Sequence, residues 1–350
     1  MTKKSKLSFL KPLKNFLKRC FNTQTKEEPV VVRPYHLLNR RILGVGEHRS
    51  GWPLVMHHLS KNAGGEILLD DFVEQSFVYP LGRLPAHKKP WVGFIHHPAE
   101  TVHWQEYLAL EYLFAQEGWQ KSVPYLIGMI CLSESLAQRM RREYPGIPVK
   151  VIKHPTQMKV PQWRGGNRLL QAGACGRNIR LIYQFPACEG WNKVRLLANS
   201  PWMTTQDQKC AFYTTRVELD STVQRIRRVD DKTYDELLAS SVVICELIVA
   251  SANNVIIECI ARATPIIVNR HTAAIEYLGE DYPLYFDDPE EIPGMLSSEK
   301  LFAANAHLKA LQKEPWLQVD KFVEDVSSFI ASIRHRAEEY TKSSVEANTI

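Results

Sequence analysis

Glu258 stands in the stretch SANNVIIECIARATPIIVNRHTAAIEYLG, residues 251–279, as a lone carboxylate inside a run of valine, isoleucine, cysteine and alanine. A run of that kind belongs in a core, where a bare carboxylate is costly unless something hydrogen-bonds it. The spacing therefore predicts a buried acid that waits for a donor. Glu276 follows eighteen positions later, and Arg177, Asn178 and Arg180 come directly after the apolar run RLLQAGACG. GFIHHP sets His96 and His97 at the end of another apolar run. In α/β sheets the ends of such strands are where ligands sit.

The elements that must position these residues alternate. In the first half, the apolar runs RRILGVGEH, GEILLDDFV, KPWVGFIHHP, YLIGMICLS and PVKVIKHP read as strands. Between them WPLVMHHLSKN, HWQEYLALEYLFAQEG and SLAQRMRREYP have helical spacing. PTQMKVPQWRGGN, with its prolines and Gly165-Gly166, reads as a linker. Beyond it come the strands NRLLQAGACG, AFYTTRVE, VVICELI and TPIIVN, and the helices DKTYDELLASS, NNVIIECIARA and TAAIEYLG. Such alternation predicts parallel sheets covered on both faces. The expected fold class is α/β, with two Rossmann-like domains facing a cleft: 29–155, a linker at 156–166, and 167–300. Helices fill 301–350, including a stretch from about 319 to 340 placed on the outside.

At 350 residues the chain suits two domains of about 150 residues each. The net charge of +6 is unevenly placed: Lys3, Lys4, Lys6, Lys11, Lys14, Lys18, Arg19 and Lys26 face no acid within residues 1–26, leaving −2 for the rest. A nearly neutral body argues against a nucleic-acid grip, which needs a basic face. Residues 1–28 form a basic arm in which Leu10, Leu13, Leu17 and Phe21 recur at helical spacing among lysines. Residues 1–21 thus suit an anionic membrane surface, against the alternative of a basic tail without a partner. No apolar stretch approaches the length of a membrane span. The seven cysteines are scattered without a Cys-x-x-Cys pair, so neither a zinc site nor a disulfide framework is expected, and a reducing compartment is.

Over residues 230–300 the chain resembles the donor-binding segment of retaining glycosyltransferases of the GT-B fold, family four above all. That family reads E-x7-E-A-M-A-C-G-T-P-V-V-A, then a short loop and G-G-x-P-E. ECIARATPIIV aligns with it without a gap, matching at Glu258, Ala261, Thr264 and Pro265, and Glu276 falls at the family's next glutamate.

The resemblance implies a metal-independent, cofactor-free glycosyltransferase of hexosyl type; the cysteines and the basic arm put it at the cytoplasmic face of a membrane. Its donor would be a nucleotide sugar and its acceptor a glycan or a lipid-linked hydroxyl. It gives Glu258 the ribose hydroxyls, Glu276 the following loop or the sugar, and Arg177 the diphosphate, with Arg180 and Lys193 competing for a second cation. Ser251 is expected to cap the helix, so that the amides of Asn253, Asn254 and Val255 face the phosphates. Gly51 would let backbone approach the donor. His96, ahead of His97, would reach the sugar or acceptor, and Glu47, His48 and Arg49 the acceptor. The chain departs from the family at Ala250, where the first glutamate falls, at Asn253 for glycine, at Thr272-Ala273 for Gly-Gly, and at Ser241 and Glu246. Two alternatives follow: a silent sugar-nucleotide binder on the same fold, and an adaptor that works through its arm.

Overall fold

The computed structural model describes residues 33–38, 51–79, 85–197, 220–227 and 229–347. The basic arm, the loop carrying Glu47, His48 and Arg49, and the expected strands at 40–48 and 211–218 lie outside the described residues. From Pro34 onward the chain clusters as one unit, in which two lobes are built on two parallel sheets.

The first lobe contains β1 (Tyr35–Leu37), α1 (Trp52–Lys61), β2 (Ile67–Asp70), α2 (Val73–Phe77), β3 (Trp91–Ile95), α3 (Leu110–Phe114), α4 (Glu117–Ser122), β4 (Leu126–Cys131), α5 (Glu134–Glu143) and β5 (Val149–Val151). The described strands pair in parallel in the order β1-β2-β3-β4-β5. WVGFI and LIGMIC are buried along their whole length, as strands covered on both faces must be. The helical spacing of 103–118 breaks up: Gln105, Ala109 and Gln116 leave helical geometry, giving a 3-10 turn, His103–Leu108, followed by two short helices.

The second lobe runs β6 (Arg168–Gln171), α6 (Leu181–Gln184), β7 (Asn192–Leu196), β8 (Gln224–Ile226), α7 (Asp231–Ala239), β9 (Val242–Cys245), α8 (Asn254–Arg262), β10 (Ile266–Asn269), α9 (Thr272–Leu278) and β11 (Tyr285–Phe286). Its order, β11-β10-β9-β6-β7-β8, reverses direction between β9 and β6. At that point the loops leaving the two strands diverge to opposite faces and open a crevice.

The helices that follow divide between the lobes. α10 (Ser298–Leu311) packs Leu301, Ala304 and Leu308 into the second core. α11 (Val319–Ser332) returns to the first, where Phe322, Val326 and Ile330 are buried and Phe322 stacks on Phe94 at 5.7 Å. The expected outer helix lays one apolar stripe, Phe322, Val323, Val326 and Ile330, on the first core and turns Asp320, Glu324 and Ser328 to solvent; it breaks at Ile333 before α12 (Arg334–Ala347). Gly128 in β4 permits the docking, since a Cβ there would lie 2.5 Å from the Ile333 side chain. The chain passes between the lobes near 152–166 and again near 312–318, and the Thr156 amide donates to Leu317 O at 3.1 Å.

Candidate functional site

At the reversal in the second sheet, the loop after β6 is tied to the loop after β9. Gly176 O accepts from Ile248 and Val249 amides at 2.8 and 3.1 Å, and Asn178 donates from backbone and side chain to Glu246 at 2.9 and 2.7 Å. Asn269, at the end of β10, exchanges two hydrogen bonds with the Leu247 backbone. Gly176 has φ +68°, and a Cβ on it would meet Val249 O at 2.3 Å, so this approach requires glycine. The Arg177 guanidinium lies against Gly173, where a Cβ would come within 1.4 Å of Nη1. Buried Arg195 braces the same loop, donating to the carbonyls of Gln171, Gly173 and Leu196 at 3.2, 2.9 and 2.6 Å. Arg195 was not singled out in sequence, because an arginine inside a strand reads as a surface residue.

The loop after β9 leads into α8. The expected cap is corrected: Asn253, not Ser251, is the N-cap, and its Oδ1 accepts from the Val255 and Ile256 amides at 3.1 and 3.3 Å. The Val255 amide, expected to face a phosphate, is therefore already engaged; Asn254 opens the helix. Ser251 instead reaches the other lobe, its Oγ donating to His97 O at 2.6 Å. Ala252, beside it, packs against both cores.

Glu258 is 1% exposed, and Tyr234 Oη donates to its Oε2 at 2.7 Å. One turn on, buried Arg262 pairs with Asp235 and donates to the Glu258 carbonyl at 3.1 Å. The acid in the apolar run thus rests on a phenol supplied by α7. Burial holds that phenol well above its ordinary pKa, so it stays a donor.

Across from α8, the ends of β2 and β3 carry a polar cluster that sequence reasoning left unread. Asp70 accepts from the Phe72 amide at 3.1 Å, from His87 Nε2 at 2.9 Å and from Ser76 Oγ. Glu74 is fully buried, and its Oε1 accepts from the His96 and His97 amides, both at 2.8 Å. Burial pushes Glu74 up to about 7 and His97 down to about 3, so the His97 imidazole is neutral in ordinary buffers. The signal for this cluster was present in DDFVE, an acidic group following a strand. His96 is half-buried, stacked on Phe72 at 4.0 Å and edge-on to Trp52 at 4.3 Å, with Nε2 near Asp71 O at 3.1 Å. Gly51 is the N-cap of α1, and the Trp52 indole N–H donates to Asp71 at 3.3 Å. Gly51, His96 and Ser251 are accordingly gathered at one seam.

Lys193 and Glu276 fall outside this arrangement. Lys193 sits near the start of β7, at the opposite end from the crevice, with Nζ on Phe185 O at 2.5 Å and over the Phe185 ring at 4.1 Å. Its expected role on a diphosphate is corrected by that placement. Glu276 is spent elsewhere: both carboxylate oxygens accept from the Glu134 amide at the amino end of α5, at 2.8 and 2.9 Å. Its role toward sugar or donor loop is corrected to a bridge between lobes, joined by Lys153 Nζ on Glu276 O at 2.7 Å and Tyr277 Oη on Leu132 O at 2.9 Å. Arg180 caps α6, with its amide on Asn178 Oδ1 at 3.0 Å. Among the described residues no helix is long and apolar enough to cross a membrane.

No protein-family model and no curated protein sequence matches this chain. Solved structures do. HepE of Anabaena in complex with UDP and glucose superposes with a TM-score of 0.56 at 11% identity, over 80% of this chain and 82% of HepE. The UDP complex of the same protein gives 0.53. TarM gives 0.52 at 11% identity over 79% of this chain, which spans 57% of TarM. At such identity the likeness is one of fold: the two facing α/β lobes expected from the strand and helix pattern, in the GT-B arrangement that the resemblance over residues 230–300 implies.

Proposed function

We propose that the chain is a glycosyltransferase that moves a hexose from a nucleotide-sugar donor to an acceptor hydroxyl, with retention, at a membrane surface. One observation carries the reading: the loop leaving the sheet reversal leads to the amino end of α8, and Ser251 on that loop meets the His96–His97 turn of the other lobe, at a seam between two lobes of GT-B type. HepE, which shares the fold, is described in complex with UDP and glucose. In this chain Glu258, steadied by Tyr234, takes the ribose hydroxyls. The Asn254 end of α8 and Arg177 take the diphosphate, with Arg180 next to them on the same loop. Gly51 lets backbone approach the donor, and His96 reaches the sugar or the acceptor.

The acceptor oxygen attacks the anomeric carbon from the face that the diphosphate leaves, the carbon–oxygen bond to the diphosphate breaks, and the departing oxygen takes the acceptor's proton. Cations and helix amides stabilise the charge that develops there. No cofactor or metal is required, so turnover persists in EDTA. Residues 1–21 of the arm bring the enzyme to anionic lipid, at the cytoplasmic face, where a glycan or lipid-linked acceptor lies.

A thermal-shift screen with UDP, GDP, ADP and CMP sugars tests the donor site, because a ligand that binds the folded state raises its melting temperature. A shift with one nucleotide class, followed by release of that nucleotide on adding acceptors, supports the reading; flat melting curves with all four overturn it. Ala250, and a Glu276 carboxylate already held by α5, favour one second reading, a silent binder. Tight binding without turnover over a broad acceptor panel selects it.

A further inference from the structure

We infer that Glu74 is a positioning residue for the donor crevice: it fixes the His96–His97 turn, and through the His97 carbonyl it holds Ser251 and the loop that presents the amino end of α8. The inference rests on the donor site proposed above and adds a residue to it.

The chain of contacts is continuous. Gly93 has no side chain to keep α2 off β3; a Cβ there would lie 2.7 Å from Val73 Cγ2. That close approach brings Glu74, the next residue, to the end of β3. The Asp70 carboxylate, by accepting from the Phe72 amide and Ser76 Oγ, sets the first turn of α2. Glu74 then gathers two successive amides on one oxygen, which leaves the His96 and His97 peptides a single orientation. The carbonyl that follows points at Ser251 Oγ, 2.6 Å away in the other lobe. Two residues on, Asn253 closes the amino end of α8. A fully buried carboxylate in the first lobe thereby governs a loop of the second, although the two residues are far apart in sequence. No surface role accounts for it, since Glu74 has no exposed area.

The test uses full-length protein and UDP as the probe. Hydrogen exchange and UDP affinity are measured for wild type, Glu74→Ala, Ser251→Ala and the double variant. Glu74→Ala is expected to speed amide exchange at 96–97 and at 252–257, to leave β4 and β9 unchanged, and to weaken UDP about tenfold. Ser251→Ala reproduces the effects at 252–257 and on UDP without the change at 96–97. The double variant loses no more UDP affinity than the worse single one, because both act on one linkage. Glu74→Gln, which keeps one acceptor oxygen, restores most of the loss and serves as the readout if Glu74→Ala does not fold.

Exchange effects confined to 96–97 with wild-type UDP affinity overturn the proposal, as do losses that add. If wild type binds no UDP, the donor reading falls by itself. The spread of exchange from 96–97 to 252–257 still decides the linkage.

Discussion

Replacing Tyr234 by phenylalanine removes one oxygen from the protein interior and leaves the ring in place. That oxygen donates to Glu258 Oε2 at 2.7 Å, and both residues are buried. A hydrogen bond to a charged acceptor contributes about 1.5–3 kcal/mol. The variant should therefore unfold about 2 kcal/mol more easily. The measurement is urea unfolding followed by tryptophan fluorescence at constant pH, with the shift read as a change in midpoint at unchanged slope. Glu258→Gln and the double variant complete a cycle, whose coupling should be about 2 kcal/mol, because phenol and carboxylate are each other's partner. UDP should also shift the melting temperature less in Tyr234→Phe, since the acid it steadies is the one assigned to ribose. A midpoint for Tyr234→Phe within error of wild type, or additive single effects, would refute the claim that the phenol carries the acid.

Glu74 supplies a pH test. Its carboxyl is raised from 4.5 to about 7 by burial, with Asp70 adding to the rise and Tyr79 and Cys131 also within reach of its charge. A raised folded pKa stabilises below the unfolded value, and the benefit is lost as pH climbs through the folded one. The advantage of wild type over Glu74→Gln should thus be about 3 kcal/mol larger at pH 4.5 than at pH 8 in paired urea titrations. Two buried histidines run the other way: His97 and His154 are lowered to about 3 and about 4, so their contribution is present above 6.5 and drains away as pH falls. Gly176→Ala, at φ +68° and 2.3 Å from Val249 O, should cost about 2 kcal/mol and weaken UDP, measured by denaturation and calorimetry. Lys193→Met should leave UDP affinity within about twofold of wild type, because the ammonium lies at the far end of its strand; a larger loss in calorimetry would return Lys193 to the site.

Strand and helix alternation was legible because parallel strands buried on both faces are written as unbroken apolar runs, and WVGFI, LIGMIC and VVIC are such runs. Glu258 stood out for the converse reason, a charge where no charge belongs. The rest depended on contacts that cross between lobes. Ser251 was read as a cap because serine before a helix caps, and nothing local records that His97 lies opposite it. Glu276 matched a spacing along one lobe, while its partner is an amide 142 positions earlier in the other. Asp70 lay inside a run read as a strand and Glu74 just beyond it, and neither was singled out, since burial of an acid is decided by what packs over it. The helical periodicity of 103–118 was real in composition and lost where the backbone leaves the helix at Gln105, Ala109 and Gln116.

Thr156 and Leu317 belong to two separate passages of chain between the lobes, and one hydrogen bond pins them side by side. A single tether lets two bodies swivel about any axis. Two tethers fastened together behave as a door hinge: twist is stiff, and one bending motion stays soft. Residues close to the pin, such as His154 against Tyr277, would keep their register in such a motion, while the far rim would sweep the widest arc. A ligand reaching both lobes is therefore gripped from the rim inward.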